Sequence, residues 1–458
     1  MSKIPVIAIF DIGKTNKKLL LFDEHYKVVH EQSRQFEETT DEDGFPCEDV
    51  VVLSNWMKES FEQLLTDERF EVKAVNFSAY GASFVYLDEQ LNVITPLYNY
   101  LKPYSPALQK QFYDTYGGES KVSKQTASPV LGNLNSGMQV YRMKYEKPEV
   151  FAKIKCALHF PQYLSFLLSG KLNTDITSIG CHTGLWDFSN ADYHEWVTRE
   201  GIIEKFAPIT ACDAIAGKVN DTVAIGVGLH DSSSALIPYL ISFQESFILL
   251  STGTWCITLN PFNHTTLSDY ELHHDCLSYL SFQHKPIKAS RLFAGYEHEQ
   301  QTKRLSEHFN KPQDYYKKAE LDLKLVKRPE QLMDFIKNND ETMIQQSAFG
   351  SRELNSFATY EAAYHQLIAD IIVQQVYSTS LVLKGTSVKR IFVDGGFSKN
   401  PIYMYMLASF FPDVETYAAS VAQASSLGAA LVMHKHWNRK QLPSDIIELK
   451  YFSGLQRN

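Results

Sequence analysis

Apolar residues in this chain fall into short runs closed by small-residue turns. Val6 to Phe10 is one such run; the turn Asp11-Ile12-Gly13-Lys14-Thr15-Asn16 follows it, and Leu19 to Phe22 is a second run. Runs of this length bounded by turn residues predict strands, here a hairpin. The same order recurs mid-chain, with Phe247 to Leu250, the turn Ser251-Thr252-Gly253-Thr254, then Trp255 to Leu259. Behind each hairpin the period changes. Val50 to Leu65 carries apolar residues at helical spacing, and Val72 to Phe77 predicts a strand. In the second half, Tyr360 to Leu383 has a helical stripe through Ile368, Ile371, Ile372 and Val376. A strand over Arg390 to Val393, the turn Asp394-Gly395-Gly396 and a helix from Pro401 come next. A strand near Val414 to Tyr417 and a small-residue helix over Ala424 to His434 complete the pattern.

Alternating strands and helices predict an α/β fold in both halves. The chain has 458 residues, more than one core usually organises. Two domains of related topology are expected, 1–244 and 245–458, each half opened by a hairpin.

Charge and cysteine usage narrow the classes. The formal net charge of -9 argues against a nucleic-acid partner, which demands a basic surface. No Lys/Arg block suits an acidic membrane, and no apolar stretch nears the roughly 20 residues that span one. The apolar run at the N-terminus is short and ends at Asp11, unlike a signal peptide. Cys47, Cys156, Cys181, Cys212, Cys256 and Cys276 are scattered without a CxxC pair, which predicts a reduced, cytoplasmic protein. A homodimer is left open.

Four motifs carry candidate chemistry. Asp11 ends a buried strand, so its carboxylate can hold Mg²⁺, through water because that ion dehydrates reluctantly. Gly13 frees the turn, and backbone N–H groups with Thr15 and the lysines can hold phosphate oxygens. In Gly228-Leu229-His230-Asp231-Ser232-Ser233-Ser234, small residues give an acid room in a narrow crevice, and Asp231 is equally suited to start the helix that follows. Ser251-Thr252-Gly253-Thr254 offers hydroxyls and amides, or is a plain hairpin turn. In Asp394-Gly395-Gly396-Phe397-Ser398-Lys399-Asn400, two glycines let a flat base approach the backbone, and Asn400 can bond it or cap the next helix. Other signatures fail: no GxxxxGK[ST] and no GxGxxG occur, and His273-His274-Asp275 suits a solvated loop better than a metal site.

Taken in order, these motifs resemble the FGGY family of carbohydrate kinases, over Asp11 to about Met433. The stretch VDGGFSKNPIYMYMLA with ASSLGAAL behind it is the most specific part, and LHDSSSA with LSTGTW is similar to the rhamnulokinase and fuculokinase branch. The resemblance implies the two-domain actin/hexokinase-like (ribonuclease H-like) ATPase fold. It implies ATP with Mg²⁺, and a small sugar such as L-rhamnulose or L-fuculose. By that similarity Asp231 is the catalytic base. Gly13, Lys14, Thr15, Asn16 and Lys17 form the first phosphate loop, Gly253 and Thr254 the second. Gly395, Gly396 and Asn400 lie on the adenine side. Tyr80, Gly81, Tyr98, Asn99 and His230, with Asp231, are expected to line the sugar site. The sequence departs from the family where Leu87-Asp88 is followed by Pro96-Leu97-Tyr98-Asn99-Tyr100-Leu101-Lys102, without an Asp–Arg pair, and where Lys14 replaces a hydroxyl residue. Those departures leave open a polyol or pentulose kinase, and a sugar-sensing protein without transferase activity.

Overall fold

The computed structural model describes residues 3–327, 347–421 and 423–454. The first hairpin is β1 (Ile4–Ile12) and β2 (Lys17–Asp23), continued by β3 (Val28–Arg34). Helix α1 (Val50–Thr66) begins where the Asp49 carboxylate accepts the Val51 and Val52 amides, the usual way an N-cap satisfies orphan donors. It buries Leu53, Trp56, Met57, Phe61 and Leu64 in the core that covers one face of the sheet. β4 (Phe70–Ala79) follows. A long insertion, which carries α2 (Ser136–Glu146) and α3 (Phe160–Ser169), precedes β5 (Ile215–Val219), β6 (Val223–Gly226) and the short β7 (Leu229–His230). The sheet runs β5-β6-β4-β1-β2-β3, with β7 also paired to β4.

α4 (Asp231–Ser242) leads to the second half. There β8 (Phe247–Thr252) and β9 (Cys256–Asn260) form the second hairpin. β10 (Cys276–Leu280), β11 (Pro286–Leu292), α5 (Ala294–His308), α6 (Tyr360–Leu383), β12 (Arg390–Gly395), α7 (Pro401–Phe410), β13 (Glu415–Ser420), α8 (Ala424–Val432) and β14 (Glu448–Phe452) follow. Their order is β10-β11-β9-β8-β12-β13-β14. From β3 across to β5 the pairings read antiparallel, antiparallel, parallel, parallel, antiparallel. From β11 across to β14 they read the same. The echo seen in the sequence is thus a shared sheet topology. α6 is long and apolar enough to cross a bilayer, yet 78% of its apolar window is buried, and it packs on β9 and β11 as a core helix. All six cysteines are free and buried.

Near its end the chain returns to the first half. α8 lies on α4 and against β1 and β4. The approach is close: a Cβ on Gly428 would stand 1.9 Å from the Ser234 carbonyl oxygen, so only glycine fits there. Ser234 donates its hydroxyl to Ser425 O at 2.7 Å, and the fully buried Asn76 donates to Ala429 O at 2.8 Å. Beyond α8, Asn438 donates to Glu24 O at 2.8 Å.

Candidate active site

The parallel strands deliver the predicted residues to one edge. Register places Asp11 beside Ser78 on β4 and Ser78 beside Leu229 on β7. The carboxyl ends of β1, β4 and β7 therefore bring Asp11, Tyr80–Gly81 and Asp231 together, the usual location of sites in such sheets. Asp231 is the first residue of α4. Its Oδ1 accepts from the Ser232 amide at 2.6 Å and lies 3.2 Å from His230 Nε2. A third of the side chain stays exposed (33%), enough for a substrate hydroxyl to reach it. Burial pushes its carboxyl above the usual carboxylate range, against the pull of the Ser232 hydrogen bonds.

His230 is buried, and its imidazole is pushed down to about 3, so it is neutral. Nδ1 lies 3.1 Å from Ser233 Oγ, and the ring stacks on Tyr279 of β10, from the other sheet, at 5.8 Å. Gly81 makes room: a Cβ there would come within 2.7 Å of the His230 ring. Tyr80 is buried, its ring 5.1 Å from Phe160 and 5.8 Å from Tyr100.

Asp11 Oδ2 accepts the hydroxyls of Ser425 and Ser426, at 2.6 and 2.5 Å, at the head of α8. Burial raises its carboxyl, and the nearby Asp231 charge adds to the rise. Facing Asp11 in register is Lys18, whose ammonium lies 3.1 Å from Glu31 and donates to Gln423 Oε1 at 3.1 Å. Lys18 is a residue that the motifs do not single out; strand alternation across the hairpin is the signal that finds it. Alternation puts Lys17 on the opposite face. There its side chain is 3% exposed, with Nζ donating to Lys14 O at 2.8 Å and lying 3.1 Å from Glu48. Lys14 pairs with Glu38 at 2.6 Å. In these positions the two ammonium groups brace the hairpin against Glu38 and Glu48. Its tip, Thr15 and Asn16, lies between them, Asn16 O closing the turn on the Gly13 amide at 3.0 Å. No backbone carbonyl among the described residues takes the amides of Lys14, Thr15 or Thr254, which leaves both hairpin tips able to donate.

Two expected sugar contacts lie elsewhere. Tyr98 is buried, donates its hydroxyl to Glu42 at 2.6 Å, and has Arg142 5.1 Å from its ring centre. The Asn99 amide donates to Pro46 O at 3.0 Å. Tyr100, two residues on, is the one that feels the Asp231 charge.

On the second sheet, Thr252 and Gly395 are register partners at the ends of β8 and β12. Gly395 has φ of 89°, and a Cβ there would stand 2.0 Å from Thr252 O. The Gly396 amide donates to that same oxygen at 2.8 Å. Gly253, Gly396 and Asn400, with Gly295, His298, Lys303 and Tyr364, line a cavity of ≈ 940 Å³. Asn400 caps α7 by accepting from Ile402 and Tyr403, and its amide donates to Tyr364 at 2.9 Å, so it shapes the wall.

Residues 6–235 match the FGGY family of carbohydrate kinases, N-terminal domain, and residues 244–441 match the carbohydrate kinase FGGY, C-terminal domain. The chain belongs to the FGGY family. Within it, rhamnulokinase of Mannheimia succiniciproducens is 22% identical over 272 residues, covering 55% of this chain and 52% of that protein. Rhamnulokinase of Halalkalibacterium halodurans is 24% identical over 263 residues, 54% of each. The matched stretch spans about half the length of these curated relatives. Solved structures of carbohydrate kinases share the fold over nearly the whole chain. A carbohydrate kinase from Novosphingobium aromaticivorans has a TM-score of 0.75 at 22% identity, covering 98% of this chain and 97% of that one. A xylulose kinase from Lactobacillus acidophilus has a TM-score of 0.79 at 16% identity, covering 99% and 94%. These likenesses agree with the two-domain α/β, actin/hexokinase-like ATPase fold that the resemblance implied.

Proposed function

We propose that this FGGY protein moves the γ-phosphoryl group of ATP to a hydroxyl of a small ketose, with Asp231 as the proton acceptor. The observation that carries the reading is a burial-raised carboxyl at the head of α4, opposite Asp11 and Lys18. A base is most effective with its pKa near the working pH, and burial moves Asp231 that way.

The sugar hydroxyl oxygen bonds to the γ-phosphorus as the bridge to the β-phosphate breaks. Its proton passes to Asp231, and ADP leaves. His230, held neutral, offers Nε2–H to Asp231 or to the sugar. Lys18 and the free amides of the hairpin tips meet the phosphate oxygens, where fixed donors act without reorganising. The ≈ 940 Å³ cavity holds the nucleoside, within the usual range for a ligand of that size. Asp11 is the residue that would hold Mg²⁺ through water; its Oδ1 carries no hydrogen bond from a described residue, so a lone-pair edge is spare. Bound there, the cation supplies charge neutralisation at the phosphates. The two sheets, with α8 riding on the first, act as two bodies that close on the substrates and exclude water.

Mg-ATP therefore raises the melting temperature. A ligand that binds only the folded state at 100 times its Kd adds about 2.7 kcal/mol. No shift at millimolar Mg-ATP, with or without sugar, counts against the cavity as a nucleotide site.

For the acceptor we propose a deoxyketose such as L-rhamnulose or L-fuculose. Relatives named rhamnulokinase support it, and so does a wall of neutral groups, Tyr80, Tyr100 and His230, suited to a methyl-bearing face. A pocket gains only about 1–3 kcal/mol from one methyl, so the fully hydroxylated sugar should lose no more than about two decades in kcat/KM. The second reading, a pentulose or polyol kinase, is favoured by the xylulose kinase fold match. Coupled ADP release with L-rhamnulose, L-fuculose, D-xylulose, L-ribulose and glycerol decides between them. A best rate on xylulose or glycerol selects the second reading, and no release on any sugar removes the kinase.

A further inference from the structure

Beside Asp231 lies a cluster that phosphoryl transfer does not use. Cys181 and His182 follow the short helix Ile176–Ile179, and His230 precedes α4. One ligating atom from each lies within 4.8 Å of the others, and all three residues are buried. It is the one such gathering among the described residues. The His182 ring is already oriented: Nδ1 lies 3.1 Å from Leu134 O, to which it donates, leaving the Nε2 lone pair for another partner. Metal-bound histidines are fixed in this way, by the hydrogen bond their other nitrogen makes. His182 has φ of 35°, a costly conformation for a residue with a side chain, and Asn135 pins it by donating to its carbonyl at 2.7 Å. Gly81 leaves the cluster's flank open, since a Cβ there would press on Cys181 Sγ at 2.9 Å. The Asp231 carboxylate lies 3.2 Å from the His230 nitrogen.

We propose that Cys181, His182 and His230 form a site for a borderline-soft divalent cation of the zinc class, and that filling the site, beside Asp231, halts phosphoryl transfer. One sulfur and two imidazole nitrogens suit zinc, with a water completing a four-coordinate shell. They do not suit Mg²⁺, which takes oxygen ligands, so the nucleotide's cation is no competitor. Binding forms a metal–sulfur bond and releases the Cys181 thiol proton to solvent. A cation held on His230, whose Nε2 lies 3.2 Å from the Asp231 carboxylate, lowers the basicity of that carboxylate and keeps it from accepting the sugar's proton. This last step alone rests on the reading of Asp231 as the base.

Cobalt(II) titration of the purified full chain tests the site without any activity. The expected result is one equivalent of a thiolate-to-cobalt charge-transfer band, displaced by zinc. The band is lost in Cys181→Ser and in Cys181→Ala, while both variants keep the wild-type Mg-ATP melting shift as proof of folding. No band in the wild type, or an undiminished band in both variants, overturns the site. Zinc-buffered assays then test the blockade. Wild-type turnover falls as the cobalt-competed site fills, and Cys181→Ala keeps its rate at the same free zinc. Unchanged wild-type turnover with the site filled overturns the blockade. A protein that phosphorylates no sugar fails the functional reading, and the cobalt band still decides the site.

Discussion

Asp231→Asn lowers turnover by about 10²–10⁴-fold on the best sugar, the usual weight of a general base. That is about 2.7–5.4 kcal/mol of transition-state stabilisation. The substitution is nearly isosteric, and the amide oxygen can still accept from Ser232, so the head of α4 should keep its shape. The Mg-ATP melting shift and the KM for ATP therefore stay close to wild type. The pH profile supplies a readout that a structural role would not move. Burial raises the Asp231 carboxyl, so protonation removes the acceptor at a higher pH than for an ordinary aspartate. Wild-type turnover accordingly falls as pH drops through that raised pKa and recovers above it. The residual rate of the Asn variant loses this acid limb. Near-normal turnover in the variant, or an unchanged acid limb, removes Asp231 from the chemistry.

Gly395→Ala destabilises the protein by about 2–5 kcal/mol and abolishes the Mg-ATP melting shift. Two costs combine. The residue sits at φ of 89°, where a Cβ costs about 1–2 kcal/mol. The added methyl would also stand 2.0 Å from Thr252 O, and overpacking of that kind costs about 1–3 kcal/mol. Relief requires the ends of β8 and β12 to part, which moves the wall of the nucleotide cavity. Gly396→Ala is the control within the same turn. Its backbone is right-handed helical, with φ of -63°, and the nearest atom to its Cβ is 3.9 Å away. Thermal melts of the two ligand-free variants should separate them, with Gly395→Ala alone losing stability. Equal behaviour would sink the argument that this one backbone conformation holds the cavity.

Both hairpins, α1, α6 and the strand before the double glycine were legible from apolar runs and their punctuation, because each is a local pattern. Which of two neighbours faces the site was not. Lys17 and Lys18 are chemically alike, and only the register of β2 against β1 turns one toward Glu48 and the other toward Asp11. Tyr98 and Tyr100 pose the same difficulty within an irregular loop. The partners of Asp11 were out of reach for another reason. Ser425 and Ser426 stand more than four hundred positions away, and ASSLGAAL reads as a close-packed helix whichever half it packs on. His182 and Cys181 were hidden likewise, since nothing near them in the sequence marks the approach of His230.

The return of α8 to the first half dictates an order of events during synthesis. Strands β1 to β7 and α4 leave the ribosome long before the helix that covers them. At about 5–20 residues per second, the interval is roughly ten to forty seconds. Through that interval the Ser234 face of α4 and the amide of Asn76 await partners contributed only by residues 424–432. The final closure of the first half therefore falls among the last steps of folding.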